Sequence, residues 1–252
     1  MSQPVTAILY APGTNCHEET TAALGRAGLE SRLVLLADLL AGTARLNAFQ
    51  AVVIPGGFSY GDHLGAGRVF ATMLTSCLRQ ELATLLASQK PLLGICNGFQ
   101  VLAEAGILPC RALGERGMAL LENQSAHFED RFVRLRVSES ESPWTRGLGG
   151  RVLAMPSAHG EGRPLFSPAL RDMSQGEQQS AAHVALRYCD PDDTVTSRNF
   201  ATPSGASNVI AGITDATGWV LGLMPHPERA SLPAHASQDG LELFKNLARL
   251  ID

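Results

Sequence analysis

Five cysteines and seven histidines are the residues best suited to nucleophilic and acid–base work, and one cysteine differs from the others in its surroundings. Cys96 stands in Gly94-Ile-Cys-Asn-Gly98, at the end of the apolar run Pro91–Ile95 and just before a helix-like segment. A cysteine with glycines two residues to either side, at a strand-to-helix junction, is the thiol form of the nucleophile elbow. The turn is tight, so side chains at 94 and 98 would collide with the neighbouring strand and helix. It holds the nucleophile in a strained conformation with the sulfur pointing out of the sheet edge. The helix N-terminus places partial positive charge near the sulfur, which favours thiolate. The backbone N–H of Asn97 is placed to bind a developing oxyanion. The competing reading is a buried structural cysteine, which is also how Cys16, Cys77, Cys110 and Cys189 are read.

A thiol that attacks an amide needs a base and then a general acid for the departing amine. His226 stands out among the histidines because of Met224-Pro-His-Pro-Glu-Arg229. It follows the apolar run Val220–Leu223 and so lies at the carboxyl end of a strand, where sites on open α/β sheets gather. Prolines on either side limit its mobility. Glu228 is two residues on. In an extended segment it points the same way as His226 and can set the imidazole tautomer. A His-x-Glu pair alone is also common on surfaces; the elbow at Cys96 is what favours the catalytic reading. A third piece is Ala51-Val-Val-Ile-Pro-Gly-Gly-Phe58, a strand running into a Gly-Gly turn. The N–H of Gly57 could form the second half of an oxyanion hole beside Asn97. This turn matches neither a P-loop nor a dinucleotide fingerprint, so the chain is not expected to bind ATP or a nicotinamide.

These residues must be positioned by a real core, and the composition provides for one. Apolar residues make up 45% of the 252 residues and charged ones 17%, the balance of a globular chain. A formal charge of −4 with no Lys/Arg cluster argues against nucleic acid as a ligand. No apolar run is long enough to cross a bilayer, and the first residues lack the pattern of a signal peptide. An odd number of cysteines with no Cys-x-x-Cys pair predicts neither a disulfide framework nor a metal site, and fits a reducing, cytoplasmic compartment.

Along the chain, Val5–Tyr10, Ser31–Leu36, Ala51–Ile54 and Pro91–Ile95 read as buried strands. Glu18–Ala27, Val69–Ser88 (one or two helices) and Asn97–Ala105 read as the helices between them. This alternation predicts an α/β fold with a mostly parallel central sheet and helices on both faces. In the second half, Met118–Leu121, Phe132–Val137, Val152–Met155, His183–Tyr188, Val209–Thr214 and Val220–Leu223 are strand candidates with few helices between, so antiparallel additions are expected. Gly160–Gln179 reads as loop, and Asp239–Leu250 as a closing amphipathic helix. No composition break divides the chain, and residues 1–252 are read as a single domain.

Five segments together resemble the class I, triad-type glutamine amidotransferases. They are Pro12-Gly-Thr-Asn-Cys16, Pro55-Gly-Gly-Phe-Ser-Tyr-Gly-Asp62, Gly94-Ile-Cys-Asn-Gly-Phe-Gln100, Ala158-His-Gly-Glu-Gly162 and Met224-Pro-His-Pro-Glu-Arg229. Within that family the chain is most similar to the glutaminase subunits of phosphoribosylformylglycinamidine synthase, with Asn97-Gly-Phe-Gln100 the most telling segment. The resemblance implies a flavodoxin-like amidotransferase fold, with Cys96 as nucleophile, His226 as base and Glu228 as its orienter. It places the Gly57 and Asn97 N–H groups at the oxyanion and Gln100 near the bound glutamine. It implies no cofactor in this chain. ATP, magnesium and the formylglycinamide ribonucleotide would belong to a large synthetase subunit, and a small accessory subunit is compatible with it. The Met1 start and the length suggest a separate subunit rather than part of a long fused chain. His159 and Glu161 are read as part of a loop, Ala158–Gly162, near the site mouth or the partner interface, Asp62 and His63 as polar residues ordering the Gly-Gly turn, and residues 111–150 as partner contacts. An amidotransferase serving another synthetase, a cysteine hydrolase of related fold and a non-catalytic interaction subunit remain as rival readings.

Overall fold

The computed structural model describes residues 4–139, 142–170, 182–190 and 209–251. Among these, nine strands form one sheet in the order β2-β1-β3-β4-β11-β10-β9-β6-β7. The parallel half consists of β1 (Val5–Tyr10), β2 (Glu30–Leu35), β3 (Ala51–Ile54), β4 (Leu92–Ile95) and β11 (Val220–Leu223). Strands β3, β4 and β11 are buried at every position, as expected for strands covered on both faces, which is why they read in sequence as unbroken apolar runs. From β11 the sheet continues antiparallel through β10 (Ile210–Asp215), β9 (Ala182–Cys189), β6 (Glu129–Val137) and β7 (Val152–His159). Along β7 every second residue is buried, the period-two pattern of a sheet covered on one face. The second pair, β5 (Met118–Glu122) and β8 (Glu161–Phe166), forms a separate antiparallel ribbon.

Topology determines where the site lies. The chain runs from β1 outward to β2 through α1 (His17–Arg26), then returns past β1 to β3. The short α2 (Leu36–Leu40) lies on the return from β2 to β3, and from β3 the chain crosses to β4 through α3 (Arg68–Cys77) and α4 (Arg79–Ala87). Right-handed crossovers made in opposite directions place their helices on opposite faces. Accordingly α1 packs with the C-terminal helix α6 (Leu241–Ile251), and α3 with α5 (Asn97–Glu104). The reversal between β1 and β3 is a topological switch point, and the crevice outside the carboxyl ends of the strands beside it is the expected ligand site.

The strand limits of the parallel half agree with the sequence to within a residue, but β2, expected as a buried strand, is the sheet edge, where only Val34 is buried and Leu33 and Leu35 are exposed, and the short α2 was not expected. Val69–Ser88 resolves into two helices that break at Leu78, whose φ of −117° and ψ of 17° are not helical. The stretch read as loop from Gly160 is corrected in its first part: Glu161–Phe166 is β8, with residues 162, 164 and 166 buried, a regular alternation hidden by the Gly and Pro it carries. The remainder, from residue 171 on, lies outside the described residues. His159 and Glu161 therefore end one strand and begin another rather than sit on a loop. Residues 111–150, read as partner contacts, contain β5 and β6, and Val133, Leu135 and Val137 of β6 lie in the core. Helix α6 buries Leu241, Leu243, Phe244 and Leu247, whereas Leu250 is only half-buried.

Candidate active site

Four strand ends converge on one point. After β4, Cys96 takes φ 51° and ψ −107°, a region a cysteine rarely occupies, and α5 starts at the next residue. The flanking glycines are required by contact. A Cβ on Gly98 would lie 1.9 Å from the Ile54 carbonyl oxygen of the adjacent strand, and one on Gly94 would lie 2.7 Å from the Gly98 carbonyl oxygen. The elbow is anchored by the Cys96 N–H, which donates to Leu223 O of β11 at 2.8 Å. Cys96 is 6% exposed, and its sulfur rests 3.6 Å from Ala158 O.

His226 follows β11. Its N–H donates to Pro156 O of β7 at 2.7 Å, tying the segment to the antiparallel half of the sheet. Its Nδ1 lies 2.6 Å from Glu228 Oε1, and both side chains are buried. The expectation of an extended His-x-Glu segment holds only for His226: Pro227–Ala230 is a 3-10 turn, and the carboxylate meets the ring at Nδ1. Burial alone would favour the neutral imidazole. The Glu228 carboxylate and then the Cys96 and Cys16 sulfurs outweigh it and hold the ring's pKa well above its ordinary value. Nε2 is buried and makes no conventional hydrogen bond of its own. The three groups meet over Gly56, where a Cβ would lie 2.9 Å from His226 Cε1, 3.1 Å from Cys16 Sγ and 3.4 Å from Cys96 Cβ. Cys96, His226 and Glu228 are thus brought together from separate parts of the chain.

Gly57 lines the same pocket with φ 143°, and a Cβ there would lie 2.7 Å from Gly13 O and Asn15 N. The loop after β1 and the loop after β3 are laced together at this point: Phe58 N donates to Gly13 O, and the Asn15 and Cys16 amides both donate to Gly56 O. The Asn97 amide is the first of α5, among those that have no acceptor within the helix. The Asn97 side chain does different work. Its Oδ1 accepts from Ser59 N at 3.1 Å, and its Nδ2 donates to Asp62 Oδ1 at 3.2 Å and Gln100 Oε1 at 3.0 Å. Gln100 in turn donates to Glu161 O at 2.7 Å. Asn97 and Gln100, one helical turn apart, therefore pin the Gly-Gly loop on one side and β8 on the other. Asp62 does order that turn, as expected, through Asn97 and the Gly67 amide.

The cavity beneath these residues has a volume of about 190 Å³, small beside the roughly 300–1,000 Å³ of pockets for drug-sized ligands. His159 and Glu161 line it. Burial, reinforced by His226 and Arg131, pushes the His159 imidazole down to about 3, so this ring stays neutral. Burial and the nearby Asp62 and Glu122 carboxylates raise Glu161. Cys16 and Arg229 also line the pocket, though neither was assigned a part in the chemistry from the sequence. Cys16, 1% exposed, receives a hydrogen bond from Arg229 Nη2 at 3.2 Å and acts on His226; Arg229 also faces Glu19 at 3.8 Å. Both belong to the family-like segments, and the available signal was position: each follows a strand of the parallel half at its carboxyl end.

The geometry has counterparts in known proteins. The profile of the CobB/CobQ-like glutamine amidotransferase domain matches residues 3–249. The phosphoribosylformylglycinamidine synthase subunit PurQ of Dehalococcoides mccartyi is 39% identical over 260 aligned positions, covering 99% of this chain and 98% of that protein. The subunit of the same name from Thermus thermophilus is 38% identical, covering 96% of this chain and 97% of the relative. Among solved structures, a chain of PurLQS from Thermotoga maritima superposes with a TM-score of 0.78 at 30% identity over the whole of both chains. A glutamine amidotransferase from the same organism shares the fold at a TM-score of 0.59 and 14% identity. The nucleophile elbow, the mixed sheet and these matches over nearly the full length agree, and the chain belongs to the CobB/CobQ-like glutamine amidotransferase family, with the PurQ subunits of phosphoribosylformylglycinamidine synthases.

Proposed function

We propose that the chain, as one amidotransferase domain over residues 1–252, is the glutaminase subunit of a phosphoribosylformylglycinamidine synthase. The observation that carries the reading is the buried alignment of Cys96, His226 and Glu228 at one end of the pocket, in a chain that is 39% identical to a PurQ subunit over nearly its full length. Cys96 attacks the side-chain carbonyl of glutamine as thiolate, and the Gly57 and Asn97 N–H groups hold the oxyanion. Protonated His226 gives its proton to the departing nitrogen, which leaves as ammonia, and a glutamyl thioester remains on Cys96. His226, now neutral, takes a proton from water. The hydroxide displaces Cys96, releases glutamate and restores the starting ion pair. Glu228 keeps the ring oriented and stabilises the imidazolium. Gln100 is assigned to the bound glutamine, on the strength of its place in the pocket lining.

The ammonia is used by a large synthetase partner, which converts formylglycinamide ribonucleotide to the amidine and holds the ATP and magnesium. A small accessory subunit fits the same assembly. Such a complex belongs in the cytoplasm. The five free thiols suit that compartment, and no helix among the described residues is long and apolar enough to cross a membrane. The test is Cys96→Ala in the complex reconstituted with the synthetase. Glutamine-dependent amidine formation is expected to vanish while activity with added ammonium persists. Loss of both activities would remove Cys96 from the role given to it.

A further inference from the structure

The pocket that holds Cys96 and His226 also carries two carboxylates that the cycle above does not use. Asp62 and Glu161 both line it. Each is drawn to one of two consecutive backbone amides. Glu161 accepts from the Ala66 amide, and Asp62 Oδ1 accepts from the Gly67 amide at 3.4 Å. We infer that Asp62 and Glu161 receive the α-ammonium group of the substrate and so restrict the enzyme to the free amino acid, an assignment that rests on the glutaminase reading of the pocket.

The two carboxylates stand at the right reach from the nucleophile. Asp62 is held by the side chain of Asn97, and Gln100, four residues along α5 from Cys96, donates to Glu161 O. Four residues of helix rise about 6 Å. In extended glutamine the α-nitrogen stands roughly 5 Å from the side-chain carbonyl carbon. A glutamine with that carbon at Cys96 Sγ therefore brings its ammonium to Asp62 and Glu161. The charges in the lining fit the same occupant. Among the described residues, Arg229 is the only Lys or Arg there, and it is committed at the thiol end, where it donates to Cys16 Sγ at 3.2 Å. Arg68 offsets Glu161 only in part, since it stands outside this lining and bonds Glu104 at 3.2 Å. Carboxylates withdrawn from water without a full counter-charge are costly, and a substrate ammonium removes that cost. The second sign of a ligand is His159. It lines the pocket, is 2% exposed and has no hydrogen-bond partner at either ring nitrogen. A buried polar side chain left unpaired marks a place that something else completes. Because the ring stays neutral, it adds no positive charge to compete with the ammonium.

The experiment follows glutamate release by the complex reconstituted with the synthetase, with glutaramate (glutamine without its amino group) as competitor. The parent is expected to bind glutamine far better than glutaramate, because a site built for an N–H group rejects the analogue that lacks it. Glu161→Gln keeps the shape of the side chain and removes its charge. It should raise KM for glutamine by roughly 10–100-fold, with a smaller change in kcat, and leave the inhibition constant of glutaramate within about threefold of the parent's. Asp62→Asn should shift the same ratio in the same direction. Activity with added ammonium should match the parent in both variants, which shows that the complex is intact. An unchanged ratio of glutamine to glutaramate affinity in Glu161→Gln, or an equal loss for the two compounds, would overturn the assignment. A parent that binds glutaramate as well as glutamine would do the same. Failure of the parent to release glutamate would instead strike the glutaminase reading itself, and this assignment with it.

Discussion

Glu228 governs the proton affinity of His226, the residue proposed as base for Cys96. The carboxylate 2.6 Å from Nδ1 raises the proton affinity of a ring that burial would otherwise keep neutral. In a thiolate–imidazolium pair the alkaline limb of the rate profile belongs to loss of the imidazolium proton. With glutamine as substrate, that limb of kcat/KM is expected well above the ordinary histidine value. Glu228→Gln keeps a hydrogen-bonding group but removes the charge. It should move the limb to lower pH and reduce kcat by roughly two orders of magnitude or more. An alkaline limb that stays in place, read from a pH profile between neutrality and pH 10, would separate Glu228 from His226. The sequence made this pair legible because a strand end, two prolines and a carboxylate two residues away are local signals. Cys16 was not legible for the converse reason. Its neighbours are Gly56, His226 and Arg229, and only the folded sheet makes them neighbours.

The elbow is a contact between elements before it is a feature of Cys96. Gly98 in α5 lets the helix lie against β3, and an added Cβ would meet the Ile54 carbonyl oxygen, a backbone atom, at 1.9 Å. No rotamer relieves that clash, so β3 and α5 must part. Gly98→Ala is expected to destabilise by about 3 kcal/mol in denaturant titration and to lower glutaminase activity by displacing the Asn97 amide. Gly25 provides the contrast. It sits in α1 with nothing within 4 Å of an added methyl and without a positive φ. Gly25→Ala should stabilise by about 0.5–1 kcal/mol. The same physics explains which elements could be read in advance. Strands β3, β4 and β11 are buried on both faces and appear as short apolar runs, so their limits were visible. Strand β8 carries Gly162 and Pro164 at buried positions, which locally spell a turn; it is a strand because β5 pairs with it. Likewise α3 and α4 separate at Leu78 without a Gly or Pro to announce the break.

At the scale of the whole molecule, the site is the seam between the parallel and antiparallel halves of the sheet. His226, at the end of β11, binds the β7 backbone at Pro156, and His159 closes β7 beside it. The two histidines are driven in opposite directions. His159 is buried with both ring nitrogens lacking a hydrogen-bond partner, and burial, His226 and Arg131 hold it down to about 3. Between about 6.5 and 3 the unfolded chain therefore binds a proton at His159 that the folded chain does not. Its contribution is present above about 6.5 and is lost as pH falls towards 3, by at most about 5 kcal/mol. For His226, raised by Glu228 against its burial, the sign reverses. Its contribution is complete below about 6.5 and is lost as pH rises through its folded value. The seam is thus weakened from both sides, by proton uptake at one histidine in acid and proton loss at the other in alkali. His159→Gln should flatten the acid side of a plot of Tm against pH while leaving the alkaline side in place. Glu228→Gln should flatten the alkaline side, because without the carboxylate the folded chain no longer keeps a proton at His226 that the unfolded chain has lost. The check is a set of thermal melts from pH 4.5 to 9.5 on the two variants and the parent. Equal acid slopes in the parent and His159→Gln would show that the seam is not where acid first acts.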